Sequence, residues 1–201
     1  MTTLNPSMGR PGSLADLIPG SGVLAYVRDA GLVIGGAALT GLAAQVSITV
    51  PSITPVPFTL QTFAVLLVGA SLGSVRGLVS MALYVVVGLA GVPWFAEGSS
   101  GYPAATFGYL LGFIAAAALV GWLSERGDDR RYVSAVGEMV IGSAVIYAFG
   151  VTVLMANLNL NLATGLSEGM VPFVIGDGLK LLAAAGLLPL AWKLVNRDKK
   201  V

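Results

Sequence analysis

Six long apolar runs, separated by short polar connectors, restrict this chain more than any single residue does. They are Ala30–Val50, Phe58–Leu72, Val75–Val92, Ala104–Trp122, Val133–Leu158 and Val171–Val195. A bilayer's hydrocarbon core, about 30 Å thick, is crossed by roughly 20 apolar residues in a helix. Most of the runs reach or approach that length. Phe58–Leu72 is short and predicts a helix that stands upright or continues into the proline loop before it. Composition agrees: of 201 residues, 56% are hydrophobic and 10% charged, where a soluble domain carries about 25% charged residues. The expected fold is all-α, a polytopic membrane protein with six transmembrane helices in one bundle over residues 29–196. A flexible cytoplasmic tail is expected over 1–28, where Pro6, Pro11 and Pro19 replace the apolar core of a signal peptide. A basic cytoplasmic tail is expected over 197–201.

Orientation follows from the basic residues. Arg10 and Arg28 precede the first run, Arg76 sits between the second and third, and Arg126, Arg130 and Arg131 join the fourth and fifth. Lys193, Arg197, Lys199 and Lys200 close the sixth, so ten of the eleven Lys and Arg residues fall on one side. The opposite connectors carry only Glu97 and Glu168. Both termini are therefore expected in the cytoplasm of a cell whose plasma membrane holds the chain. That orientation requires an even number of spans. Cysteine and histidine are absent, which excludes disulfides, thiol nucleophiles, Cys/His metal sites and histidine acid–base chemistry. No cofactor and no nucleic acid is expected.

The eleventh basic residue is Lys180, inside the sixth run, three positions after Asp177. A charge near the bilayer centre costs about 2.5–3.5 kcal/mol on insertion scales. Spacing i, i+3 puts both on one helical face, where they can neutralise one another. The run from Val171 to Asp177 rises about 9 Å, which places the pair toward the outer side. The structural interpretation is an ion pair that only fixes packing, although an apolar contact would pack at lower cost. The functional interpretation is contact with a small polar solute entering from outside, and Gly176 and Gly178 suit a close approach to the backbone.

Other features are less specific. Gly31/Gly35, Ala37/Gly41 and Gly36/Thr40/Ala44 form small-residue rows in the first run, fit either for packing in the bundle or for a partner protein. Glu138 is expected at the interface, with a coupling role as its alternative. Arg126–Arg131 reads as a solvated loop. Trp94, Trp122 and Trp192 lie near helix ends and suit an interfacial belt, though Trp94 alone could line a pocket.

Four strings resemble one family in order and spacing. Pro55-Val56-Pro57-Phe58-Thr59-Leu60-Gln61-Thr62 resembles the Pro-x-Pro-x-Thr-x-Gln segment of the BioY family, the biotin-specific substrate-binding components of energy-coupling-factor (ECF) transporters. Gly88 to Ala96 resembles its Gly-Leu-x-Gly-x-Pro-x-Phe-Ala, Thr106 to Phe113 its Thr-Gly-Gly-Tyr-Leu-x-Gly-Phe, and Asp177-x-x-Lys180 its Asp-x-x-Lys. Ala104-Ala105 stands where the family often has Gly-Pro, and Phe107 where it has glycine.

The resemblance implies capture of biotin near the outer face and delivery to the cytoplasm, with no enzymatic activity. It implies Asp177 and Lys180 as polar contacts, Gln61 and Thr59 as neutral hydrogen-bonding groups, and Phe95, Tyr102 and Tyr109 as ring packing. It further implies a transmembrane scaffold subunit, two cytosolic ATPases and toppling of the protein in the membrane, with Ala37 and Gly41 on the docking surface. The chain carries no Gly-x-x-x-x-Gly-Lys-[Ser/Thr] loop, so any ATPase is another chain. A stand-alone carrier for biotin or another small polar vitamin is the alternative. An intramembrane enzyme lacks the nucleophile or metal cluster it would need.

Overall fold

Glycine marks the start of the first long helix and the break between the second and third. The computed structural model describes the backbone of residues 12–198 and the side chains of 12–195. Among these residues stand seven α-helices: α1 (Val23–Gln45), α2 (Gln61–Leu72), α3 (Ser74–Leu89), α4 (Phe107–Glu125), α5 (Tyr132–Leu158), α6 (Leu162–Gly169) and α7 (Val174–Asp198). Two short strands, β1 (Ser47–Ile48) and β2 (Phe58–Thr59), pair antiparallel and close the proline-rich loop between α1 and α2. Gly73, at φ +85°, ends α2 in a conformation that glycine adopts without a Cβ clash. The chain restarts at once as α3, and Glu125 Oε1 accepts from the Ser74 N–H at 2.8 Å, satisfying one of the donors a helix start leaves open.

Of the six expected spans, α1, α4, α5 and the stretch Leu162–Val195 are long and apolar enough to cross a membrane. α2 and α3 are apolar but have 12 and 16 residues, a rise of about 18 and 24 Å. α2 does not continue into the proline loop, because Phe58 and Thr59 are extended in β2. The connector expected over Asn159–Met170 contains α6, capped where Asn161 Oδ1 accepts from the Thr164 N–H at 2.9 Å. Large apolar side chains stand outward, among them Val133 at 82% and Ile175 at 81% exposure. Such a surface suits lipid.

α4 lies at the centre, against α2, α3 and α5. Its inward residues include Gly108, Gly112, Ala116, Ala117 and Gly121. A Cβ built on Gly112 would lie 2.9 Å from Ile146 Cα, and one on Gly69 would lie 2.9 Å from Ala117 Cα. The helices therefore meet backbone to backbone, and van der Waals contact holds them where lipid supplies no hydrophobic drive.

Several expectations change. Ala37 and Gly41 are buried, with Gly36, Thr40 and Ala44, on the face that α1 turns toward the bundle. A Cβ on Gly41 would lie 3.2 Å from the Trp94 ring. These two residues serve internal packing and are closed to a partner, while Gly31 and Gly35, on the other face, are exposed. The flexible tail expected over 1–28 is instead folded where it is described. The turn Leu14–Leu17 buries Ala15, α1 begins at Val23, and Arg76 holds Asp16 at 2.9 Å and Asp29 at 3.1 Å. Residues 1–11 lie outside the described residues, as do Lys199, Lys200 and Val201 of the expected basic tail. α7 runs through Pro189 to Asp198.

Trp192 belongs to no interfacial belt. It is buried, and its indole N–H donates to Asp129 Oδ2 at 2.5 Å while the Arg130 guanidinium lies 4.7 Å from its ring. The connector expected as a solvated loop thus packs against α7. Burial pushes the Asp129 carboxyl up to about 6, against a hydrogen bond from Trp192 and the charge of Arg130. Glu138 is 2% exposed, not interfacial, because α4 and α5 close over it and Ser124 donates to its Oε1.

Candidate functional site

The two ends of the bundle differ. Arg28, Arg76 and Arg126–Arg131 gather at the end that holds the α2–α3 and α4–α5 turns. The opposite end holds the β1–β2 loop, the loop between α3 and α4, and α6. A cavity of about 320 Å³ sits among these elements, bounded by the β1–β2 loop, the α3–α4 loop and the near ends of α2, α4, α5 and α7.

Local sequence explains the walls. Pro55 and Pro57 stiffen the loop entering β2, and Thr54, buried, accepts at Oγ1 from the Val56 N–H at 3.0 Å. Phe58 packs on Phe173, ring centroids 4.5 Å apart, tying β2 to the turn before α7. On the far side, Phe95 is buried and meets Tyr84 in a T-shaped contact, centroids 5.4 Å apart. Its ring fills the space that a side chain at position 88 would need, so Gly88 is a steric requirement of the motif. Tyr109 is buried and donates to the Gly169 carbonyl at 2.5 Å, fastening α6 over α4.

The buried stripe of α7 repeats at helical spacing through Asp177, Leu181, Ala184, Ala185, Leu188 and Trp192. Asp177 is its outermost member and is 8% exposed. Lys180 Nζ lies 2.8 Å from Asp177 Oδ1 and donates to the Thr59 carbonyl at 2.5 Å. Thr62 Oγ1 donates to the same Oδ1 at 3.0 Å, and the Tyr147 O–H to Oδ2 at 2.5 Å. Gln61 accepts from the Thr59 hydroxyl at 3.0 Å and donates to the Tyr84 hydroxyl at 2.8 Å. An ammonium has three N–H donors and a carboxylate about four lone-pair sites. With two named acceptors for Lys180 and three donors on Asp177, the pair keeps one ammonium donor and one acceptor position, the latter on Oδ2. Such a site can hold a solute that offers a carbonyl beside an N–H.

Of the seven residues expected at a ligand, Asp177, Lys180, Gln61, Thr59, Phe95 and Tyr109 line this one cavity. Tyr102 does not. It is exposed, packs on Phe107 at 4.8 Å between centroids, and accepts at its hydroxyl from Asn157 Nδ2 at 3.0 Å. Trp94 also stays outside, donating to the Tyr84 carbonyl at 2.9 Å. Gly176 and Gly178 do not face the cavity.

Sequence reasoning missed Tyr147 and gave Thr62 no role. A phenol in the middle of an apolar span needs a hydrogen-bond partner, and that signal was available for Tyr147. Among the described residues, no group of three or more His, Cys, Asp and Glu could hold a metal ion.

Comparison with known proteins gives concordant results. The pattern of the BioY family matches residues 14–197. The biotin transporter BioY of Thermotoga maritima is 41% identical over 134 residues, covering 65% of this chain and 78% of that protein. A probable biotin transporter BioY from Lysinibacillus sphaericus is 34% identical over 173 residues, covering 82% and 87%. The crystal structure of the S-component for biotin from an ECF-type ABC transporter superposes with a TM-score of 0.76. It shares 20% identity and covers 87% of this chain and 95% of that one, a likeness of fold.

Proposed function

The chain belongs to the BioY family, and from that premise we propose that it captures biotin at the outer face of the cell membrane and delivers it to the cytoplasm as the substrate-binding component of an ECF-type transporter. It is a membrane protein and a transport protein, not an enzyme. In this reading α1, α2, α3, α4, α5 and α7 are the six membrane-crossing helices and both termini are cytoplasmic.

The observation that carries the reading is the Asp177–Lys180 pair at the cavity, which keeps a donor and an acceptor position open. Biotin's ureido ring presents N–H groups beside a carbonyl, which suits them. The tail carboxylate is the other group that Lys180 can meet. Phe95 and Tyr109 supply apolar walls for the fused rings. Buried polar groups left unpaired by the wrong solute make discrimination steep. Partnership with a scaffold subunit and two ATPases is supported by the fold that this chain shares with an S-component. With Ala37 and Gly41 turned inward, the face of α1 bearing Gly31 and Gly35 is the docking surface in this reading.

The test is calorimetric titration of the detergent-purified chain with biotin, beside mass spectrometry of small molecules that co-purify with it. Stoichiometric binding and release of unchanged biotin are expected. No heat with biotin, or a different tightly held solute, would overturn the assignment. Uptake by vesicles holding this chain alone would favour the stand-alone carrier.

A further inference from the structure

Two spaces in the molecule meet at one pair of side chains. Beside the ligand cavity, a groove of about 640 Å³ runs along α5, α6 and α7, walled by apolar side chains such as Val151, Met155 and Leu181. Its rim includes Val140 and Val174, each half exposed on the surface of a membrane-length helix. Tyr147 and Asp177 line the cavity and the groove alike. Their contact is the hydrogen bond from the Tyr147 O–H to Asp177 Oδ2 at 2.5 Å. Asp177 is thereby braced from three helices, by Thr62 on α2, Tyr147 on α5 and Lys180 on α7.

We propose that Tyr147 has two roles at the ligand site: a positioning residue that holds the Asp177 carboxylate as acceptor, and a seal that keeps lipid alkyl chains in the groove out of the cavity. The inference rests on the reading that the cavity takes biotin. A groove between membrane-spanning helices faces hydrocarbon, and an alkyl chain fills any apolar volume that opens onto it. A phenol suits the boundary because it joins an apolar body to one polar tip. With a small side chain at position 147, the groove and the cavity become one space. An alkyl chain then competes with the ligand directly.

The two roles separate by substitution. Biotin affinity is measured on the purified full chain in detergent, with and without 1-decanol as the alkyl probe. Tyr147→Phe keeps the ring and removes the donor, and a loss of roughly tenfold or more is expected, unaffected by decanol. Tyr147→Ala is expected to lose more and to weaken further as decanol rises, while the parent chain does not respond. Should Tyr147→Ala fail to fold, Tyr147→Val asks the same question. The positioning role is read by combining Tyr147→Phe with Thr62→Val, since both donors act on one carboxylate and their effects should not add. Strict additivity would overturn the positioning role, and a decanol-insensitive Tyr147→Ala would overturn the seal. A parent chain that binds no biotin would overturn the functional reading itself, a result distinct from both.

Discussion

Asp177 and Lys180 sit where a lone charge would be costly, so each depends on the other. We expect Asp177→Asn and Lys180→Met each to weaken biotin binding by tenfold or more, since hydrogen bonds to charged groups contribute about 1.5–3 kcal/mol. Either change also strands the remaining charge, and the melting temperature should fall. Titration calorimetry checks the first effect and thermal unfolding the second; wild-type affinity in both variants would leave the pair a packing device. Asp129 offers a different test. Burial raises its folded pKa to about 6, above the ordinary value of 3.8. Between those values the folded state holds a proton that the unfolded state has released. Stability from this group is therefore greatest at low pH and declines as pH rises from about 4 to about 6. Asp129→Asn keeps an oxygen for the Trp192 indole and removes the ionisation. The variant should melt higher than the parent at pH 7.5, with the difference shrinking toward pH 5.

At the scale of elements, α1 shows what periodicity in a single helix can and cannot tell. Its small-residue rows were plain in the sequence, but a helix with apolar residues all round has no amphipathic stripe to say which row faces inward. The partner helix decides, and here Ser80 and Val68 meet Gly36 while Trp94 covers Gly41. Gly41→Trp is accordingly expected to disrupt folding and biotin binding together. Gly35→Trp, on the exposed face, should preserve binding and block co-purification with a scaffold subunit. Preserved binding in Gly41→Trp would contradict the packing described above. The same reasoning separates the rest of the site. Asp177 and Lys180 were legible because charge is anomalous in an apolar run, and Gln61, Thr59, Phe95 and Tyr109 through motifs. Tyr102 was misplaced because an aromatic residue in an outer loop carries no signal of where its ring turns. α6 escaped because an eight-residue helix leaves little periodicity, and the α7 contact of Trp192 because its partner Asp129 is distant in sequence.

For the whole molecule, the basic end and the cavity end lie apart, and the proposed orientation is open to direct labelling. A cysteine in place of the exposed Ser99, at the cavity end, should react with an impermeant thiol reagent on intact cells, and one in place of the exposed Arg126 should not. The reverse pattern would invert the molecule in the membrane. One contact then gains significance beyond holding the fold. Lys180, on α7, donates to the Thr59 carbonyl at the junction of β2 and α2, so an ammonium that can meet the ligand also tethers the loop leading back to α1. Where a bound solute draws on that ammonium, occupancy and the set of the loop share one free energy. By reciprocity, whatever shifts the loop must change the affinity for the solute by the same factor that the solute changes the loop's equilibrium.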